Sequence, residues 1–234
     1  EQLLLPIFTR YLKRDLVDNH VTVINIGGRY FSHFLKLFDR EKSEYAINKR
    51  IVVITDLDPV RKKIGIKGAR YTSCYPFELN KDNSYEYKAT SNDIIDLYSD
   101  RKKSINVFTQ EKNIGCTFEY ELLMYNPTCK ELIVPSNNNK ETLLYLMNNY
   151  ALEYEELVAT IGDSEGCKRI KKGLEGTKDK DQLIAALYLL NVNKAEAAQE
   201  IAEVLYEKEA DYHNGSFTFK IPPYIEEAIK WVLE

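Results

Sequence analysis

"IVVITDLDP", Ile51 to Pro59, sets a run of apolar and β-branched residues ahead of two carboxylates, Asp56 and Asp58, one residue apart, and then a proline. A short run of this kind reads as a strand covered on both faces, and such strands belong to parallel sheets whose crossovers are helices. Working upstream, "VTVINI" at Val21 to Ile26 reads as another buried strand, broken by Gly27 and Gly28. Before it, Leu4, Ile7, Phe8, Tyr11 and Leu12 recur at helical spacing; after it, Phe31, Phe34, Leu35 and Phe38 form one helical stripe. The order is therefore αβαβ. Downstream, "INVF" at Ile105 to Phe108 and "ELIVP" at Glu131 to Pro135 extend the strand series, with a polar, loop-rich insertion expected around Tyr71 to Asp96. The expected fold class is α/β: a parallel sheet of at least four strands, flanked by helices.

After "PSNNNKET" the pattern changes to helix alone. Leu143, Leu144, Met147 and Tyr150 open one helix, Gln182 to Leu190 form another, and "NKAEAAQEIAEVLYEKEA" a third. The charged, glycine-punctuated stretch "GDSEGCKRIKKGLEGTKDKD" is expected to be mobile. The C-terminal "FTFKIPPYIEEAIKWVLE" gives a strand-like run, two prolines at a helix start and an amphipathic helix. We expect residues 1–137 to form the α/β domain and 138–234 a mostly helical one, whose last part, about 192–234, packs back on the α/β core.

With 234 residues, 44% of them hydrophobic, the chain suffices for one large domain or two modest ones. A net charge of −4 argues against a strongly basic nucleic-acid-binding module, although basic patches can sit in an acidic chain. Cys74, Cys116, Cys129 and Cys167 lie far apart without a C-x-x-C pair, which makes a structural zinc site or a disulfide framework a poor fit. Neither a signal peptide nor a membrane-spanning run is evident, so the cytoplasm is the expected compartment. The chain opens on Glu1 rather than methionine, already inside a helical pattern, and is expected to be part of a longer protein.

In open α/β sheets, functional residues collect beyond the carboxyl ends of the strands, where Asp56 and Asp58 stand. Two carboxylates this close raise one another's pKa unless a cation neutralises them, and an oxygen-rich pair suits Mg²⁺ or Mn²⁺. The plainer reading is a strand-ending turn, with Asp58 beginning it beside Pro59. A second acidic cluster is Thr117, Glu119 and Glu121 in "CTFEYELLMYN": extended, it presents all three on one face; helical, it places Glu119 in a first turn beside Thr117. Arg61, Lys62, Lys63, Lys67 and Arg70 in "RKKIGIKGAR" form either a solvated loop or a phosphodiester-holding run; "KRIKK" at Lys168 to Lys172 has the same two readings. Lys194, at a helix start, is unremarkable by spacing. The chain holds no Walker A loop, no G-x-G-x-x-G fingerprint and no nucleophile elbow.

"EQLLLP", "VINIGG", "VVITDLD", "TFEYEL" and "IPPYIEEAI", in that order, resemble the C-terminal catalytic region of OLD-family (overcoming lysogenization defect) endonucleases, which contains a Toprim domain. The likeness implies a two-metal DNA endonuclease or nickase, with two Mg²⁺ or Mn²⁺ ions held by carboxylates and DNA as partner. It implies Asp56 and Asp58 as the D-x-D metal ligands, Glu119 as a further ligand and Thr117 as a supporting oxygen, with Glu121 only a neighbour. Glu1 matches the second glutamate of the family's E-G-x-x-E motif, as ligand or general base, the first glutamate and glycine falling upstream. Lys194 matches the catalytic lysine, although Ala195 stands where glycine is usual. The family further implies an N-terminal ABC-type ATPase domain, through which dimers form, and roles in phage defence or DNA repair. The alternatives are another Toprim catalyst, primase-like or ribonuclease-like, and a non-catalytic DNA-binding or assembly module.

Overall fold

The computed structural model describes residues 3–28, 30–98 and 104–234. Its contacts divide the chain into two compact units that do not follow one another in sequence: Glu1–Asp15 with Phe118–Pro222, and Leu16–Thr117 with Pro223–Glu234.

In the second unit, β1 (Ile51–Ile54) pairs in parallel with β5 (Ile105–Phe108), in the register Ile51 with Ile105 through Ile54 with Phe108. Both strands were legible as apolar runs. Val53 and Ile105 are buried with Leu35 of α2 (Phe31–Leu35) and Tyr98 of α3 (Asn92–Tyr98), and Phe31, Phe38, Ile51, Ile94 and Val107 pack against that cluster. Helix α11 (Pro223–Leu233) lies against the same two strands. There the Trp231 ring is 6.4 Å from Phe108, and the Arg50 guanidinium sits over Trp231, 4.9 Å from the ring centroid, while donating to the Trp231 carbonyl at 2.8 Å. This parallel pair with flanking helices is the α/β part of the fold.

The sheet is smaller than its apolar runs suggest. Val21 to Ile26 form no strand, and Ile24 is 74% exposed; an apolar run becomes a strand only where a neighbouring backbone pairs with it. The "ELIVP" run buries Leu132 and Val134 but does so through a 3-10 turn at Lys130–Leu132, not a strand. On α2, Leu35 is buried as expected, whereas Phe34 of the same stripe is exposed.

The expected loop between Tyr71 and Asp96 contains regular structure instead. Three antiparallel strands, β3 (Thr72–Ser73), β2 (Pro59–Lys63) and β4 (Tyr85–Ala89), lie in that order. Pro59 thus starts a strand, where a missing N–H is tolerated, and its carbonyl accepts from the Cys74 N–H at 2.9 Å.

The other unit is helical. At its centre, α8 (Lys180–Asn191) buries Leu183 through Tyr188 completely, as a helix that is apolar on all sides must, and it packs chiefly against α4 (Phe118–Met124). Around them stand α5 (Lys140–Asn148), α6 (Tyr154–Thr160), α7 (Glu165–Leu174), α9 (Lys194–Glu207) and α10 (Glu209–Asn214). Helix α7 occupies the stretch expected to be mobile: the Ser164 hydroxyl caps it by accepting from the Cys167 N–H at 3.2 Å, and Ile170 and Leu174 are buried. Helix α1 (Leu5–Tyr11) brings Phe8 to 5.9 Å from Phe219 and 6.4 Å from Phe118.

Phe217, Phe219 and Ile221 are buried while Thr218 and Lys220 are exposed. This strand-like alternation has a side chain as its partner: Asn126 accepts from the Lys220 N–H at 2.7 Å and donates to the Lys220 carbonyl at 2.8 Å. All four cysteines are buried, and none of them forms a disulfide. Among the described residues no helix is long and apolar enough to cross a membrane.

Candidate metal centre

The D-L-D stretch follows directly from β1. Burial alternates through it, with Thr55, Leu57 and Pro59 buried and Asp56 and Asp58 partly exposed, so the two carboxylates lie on the accessible side of an anchored backbone. The anchoring comes from three other segments. The Leu57 N–H donates to Gln110 Oε1 at 2.7 Å, the Asp58 N–H to the Cys116 carbonyl at 3.0 Å, and the Leu57 carbonyl accepts from the Thr90 N–H at 3.0 Å. The Gln110 amide also donates from Nε2 to Asp56 Oδ1 at 2.6 Å.

Asp58 has φ +47°, in the left-handed region. Aspartate enters it more readily than most side chains but still at a cost. A strained backbone held by surrounding hydrogen bonds, bearing two like charges, is the kind of local conflict that collects at functional sites. The donor set fits a hard divalent cation: carboxylate oxygens only, with a buried amide positioned to orient one of them. Thr117, 6% exposed, belongs to the same unit and stands immediately before α4.

The segment "TFEYEL" is helical, which decides between its two readings. Glu119 and Glu121 fall in the first turn of α4, where negative charge is favourable to the helix dipole. Glu121 is buried, 2% exposed, and the Glu119 side chain is 18% exposed. The structure brings Glu119 together with Lys194, 75 residues later at the start of α9: Lys194 Nζ donates to Glu119 Oε2 at 2.8 Å. Below α4, burial, together with the charges of Glu119 and Glu200, pushes the Tyr188 phenol above its ordinary pKa.

Among the basic candidates, Arg61 is engaged: it forms an ion pair with the buried Glu78 at 3.1 Å and lies over the Tyr85 ring, 4.8 Å from its centroid. Lys62 and Lys88 both stand over the Tyr71 ring, 5.6 Å and 4.4 Å from its centroid. Lys63, Lys67 and Arg70 are exposed. The run "KRIKK" is helical, with Lys171 and Lys172 in the last turn of α7 and Lys171 paired to Asp163 at 3.0 Å.

Glu1 lies outside the described residues. Among the described residues, no group of three or more His, Cys, Asp or Glu side chains is gathered as a metal-binding cluster. Sequence reasoning missed Gln110, Thr90 and Glu78, which no motif marks and which reach their partners only through the fold.

The family model described as "Overcoming lysogenization defect protein-like, TOPRIM domain" matches residues 1–58, a span that ends on Asp58. Comparison with curated proteins and with solved structures finds no match.

Proposed function

We propose, from the match of residues 1–58 to the OLD-like Toprim model, that the chain is the nuclease part of an ATPase–nuclease, a Mg²⁺- or Mn²⁺-dependent DNA endonuclease or nickase. The observation that carries the reading is the D-L-D stretch, with its two partly exposed carboxylates held at the carboxyl end of a parallel strand. Asp56 and Asp58 act as metal ligands, Glu119 as a further ligand, and Thr117 as a supporting oxygen. Glu1 serves as ligand or general base. Two bound ions would supply Lewis-acid stabilisation of the scissile phosphate and lower the pKa of the attacking water.

Lys194 offsets negative charge that develops on the phosphate, its ammonium held ready by Glu119. Arg61, Lys62, Lys63, Lys67 and Arg70 hold the DNA backbone by charge, Arg61 from a position fixed by its ion pair with Glu78. In this reading 1–137 is the catalytic domain and 138–234 the helical one. An N-terminal ABC-type ATPase domain in the full-length protein mediates dimerisation, in the cytoplasm, for phage defence or DNA repair.

Cleavage of supercoiled plasmid with Mn²⁺, Mg²⁺ or EDTA, comparing this chain with Asp56→Ala, tests the proposal. Cutting that requires metal and is lost in the variant is the expected result. Equal cutting by both proteins would remove Asp56 from the mechanism, and cutting of RNA in place of DNA would favour the ribonuclease-like alternative.

A further inference from the structure

We infer that Gln110 is a positioning residue for the Asp56 carboxylate, an inference that rests on reading Asp56 as a metal ligand. Its place follows from strand register. Ile54 is level with Phe108, and the Thr55 N–H donates to the Phe108 carbonyl at 3.2 Å, so two residues further on Asp56 stands beside Gln110. The Gln110 side chain is buried, with the residue 2% exposed.

The orientation of the amide is fixed by its partners. The Leu57 N–H can only donate, so Gln110 must turn Oε1 toward it, and Nε2 then faces Asp56 Oδ1 at 2.6 Å. One side chain therefore sets both the backbone of the D-L-D stretch and the rotation of its first carboxylate. A neutral donor suits this task. A lysine or arginine at position 110 would neutralise Asp56 and compete with a cation for it, whereas an amide orients the carboxylate and leaves its charge intact. Asparagine offers the same amide donor and acceptor but is one methylene shorter.

The experiment measures Mn²⁺ binding by the electron paramagnetic resonance of free Mn²⁺, in nuclease-independent conditions, for wild type, Asp56→Ala, Gln110→Met and Leu35→Ala. Leu35→Ala opens a cavity in the core of the same unit and reports what loss of stability alone does to the affinity. Denaturant unfolding without metal establishes that each variant is folded. Wild type should bind, Asp56→Ala should lose binding, Leu35→Ala should bind as wild type does, and Gln110→Met should bind roughly 10- to 100-fold more weakly. If Gln110→Met does not fold, Gln110→Asn takes its place and should weaken binding about tenfold, since it can reach one partner at a time. Wild-type affinity in the folded Gln110 variant, with binding lost in Asp56→Ala, overturns the role of Gln110. Unchanged affinity in Asp56→Ala instead overturns the metal reading beneath it.

Discussion

Replacing Asp58 by glycine, asparagine and alanine separates what its backbone costs from what its carboxylate does. At φ +47° a side chain with a Cβ is strained by roughly 1–2 kcal/mol, less for aspartate and asparagine and not at all for glycine. Two main-chain hydrogen bonds, from the Asp58 N–H to the Cys116 carbonyl and from the Thr90 N–H to the neighbouring Leu57 carbonyl, help to hold the position, and all three variants retain them. Each variant also removes one of two adjacent negative charges, which lowers repulsion in the metal-free protein. Urea unfolding in EDTA should therefore rank Asp58→Gly as the most stable. Asp58→Asn should equal or exceed wild type, and Asp58→Ala should fall about 1 kcal/mol below Asp58→Asn.

Adding Mn²⁺ should reverse the ranking. A ligand present at about 100 times its Kd stabilises the folded state by ~2.7 kcal/mol, and only wild type keeps the full ligand pair, so its midpoint should rise past those of the variants. Metal-induced stabilisation of Asp58→Asn equal to that of wild type would refute the ligand role. Asp58→Gly less stable than Asp58→Ala in EDTA would refute the strain argument independently, because that comparison involves no metal.

Lys194→Met should reduce metal-dependent cleavage at least tenfold while changing the unfolding free energy by no more than about 1 kcal/mol, since the lysine side chain is 52% exposed. Asn126→Ala removes its bonds to the Leu122 carbonyl and to both backbone groups of Lys220, and should destabilise the helical unit by about 2–3 kcal/mol in urea unfolding. Tyr150 and Tyr154 are pushed up to about 12 by burial, Tyr150 also by its bond to Asp181, so the fold favours their protonated forms. Their contribution is complete below the unfolded value near 10 and is lost as pH rises from 10 toward 12. Unfolding midpoints followed across that range should fall in wild type and fall less steeply in the double Tyr→Phe variant.

How much of this could be read from residues alone depended on how local the cause was. Helices α8, α9 and α11 and the strands β1 and β5 carry their own periodicity or unbroken apolar runs, and they stand where those patterns put them. "VTVINI" has as good a strand composition as β1, but composition cannot say whether a partner backbone pairs with it. Strand β4 was overlooked although Tyr85, Tyr87 and Ala89 alternate with the exposed Glu86 and Lys88, a period-two signal hidden by the turn residues around it. Asp56 and Asp58 were legible as a motif. The left-handed φ of Asp58, the Gln110 amide and the Glu119–Lys194 contact were not, because each depends on segments dozens of residues apart meeting in three dimensions.

The D-L-D stretch is unfavourable by itself on two counts, like charge and a left-handed backbone, and its own main chain offsets neither. What holds it is over-determination. Gln110 arrives from the end of β5, Cys116 from the approach to α4 and Thr90 from the end of β4, and each fixes a different group of Leu57 or Asp58. Loss of the Gln110 amide leaves the two main-chain anchors in place, so its substitution should loosen the carboxylates before it unfolds the unit. A turn that merely ends a strand needs no such support, since Asp and Pro satisfy it locally. The convergence of three distant segments on two residues is therefore the physical support for the proposal that this stretch is a prepared cation site.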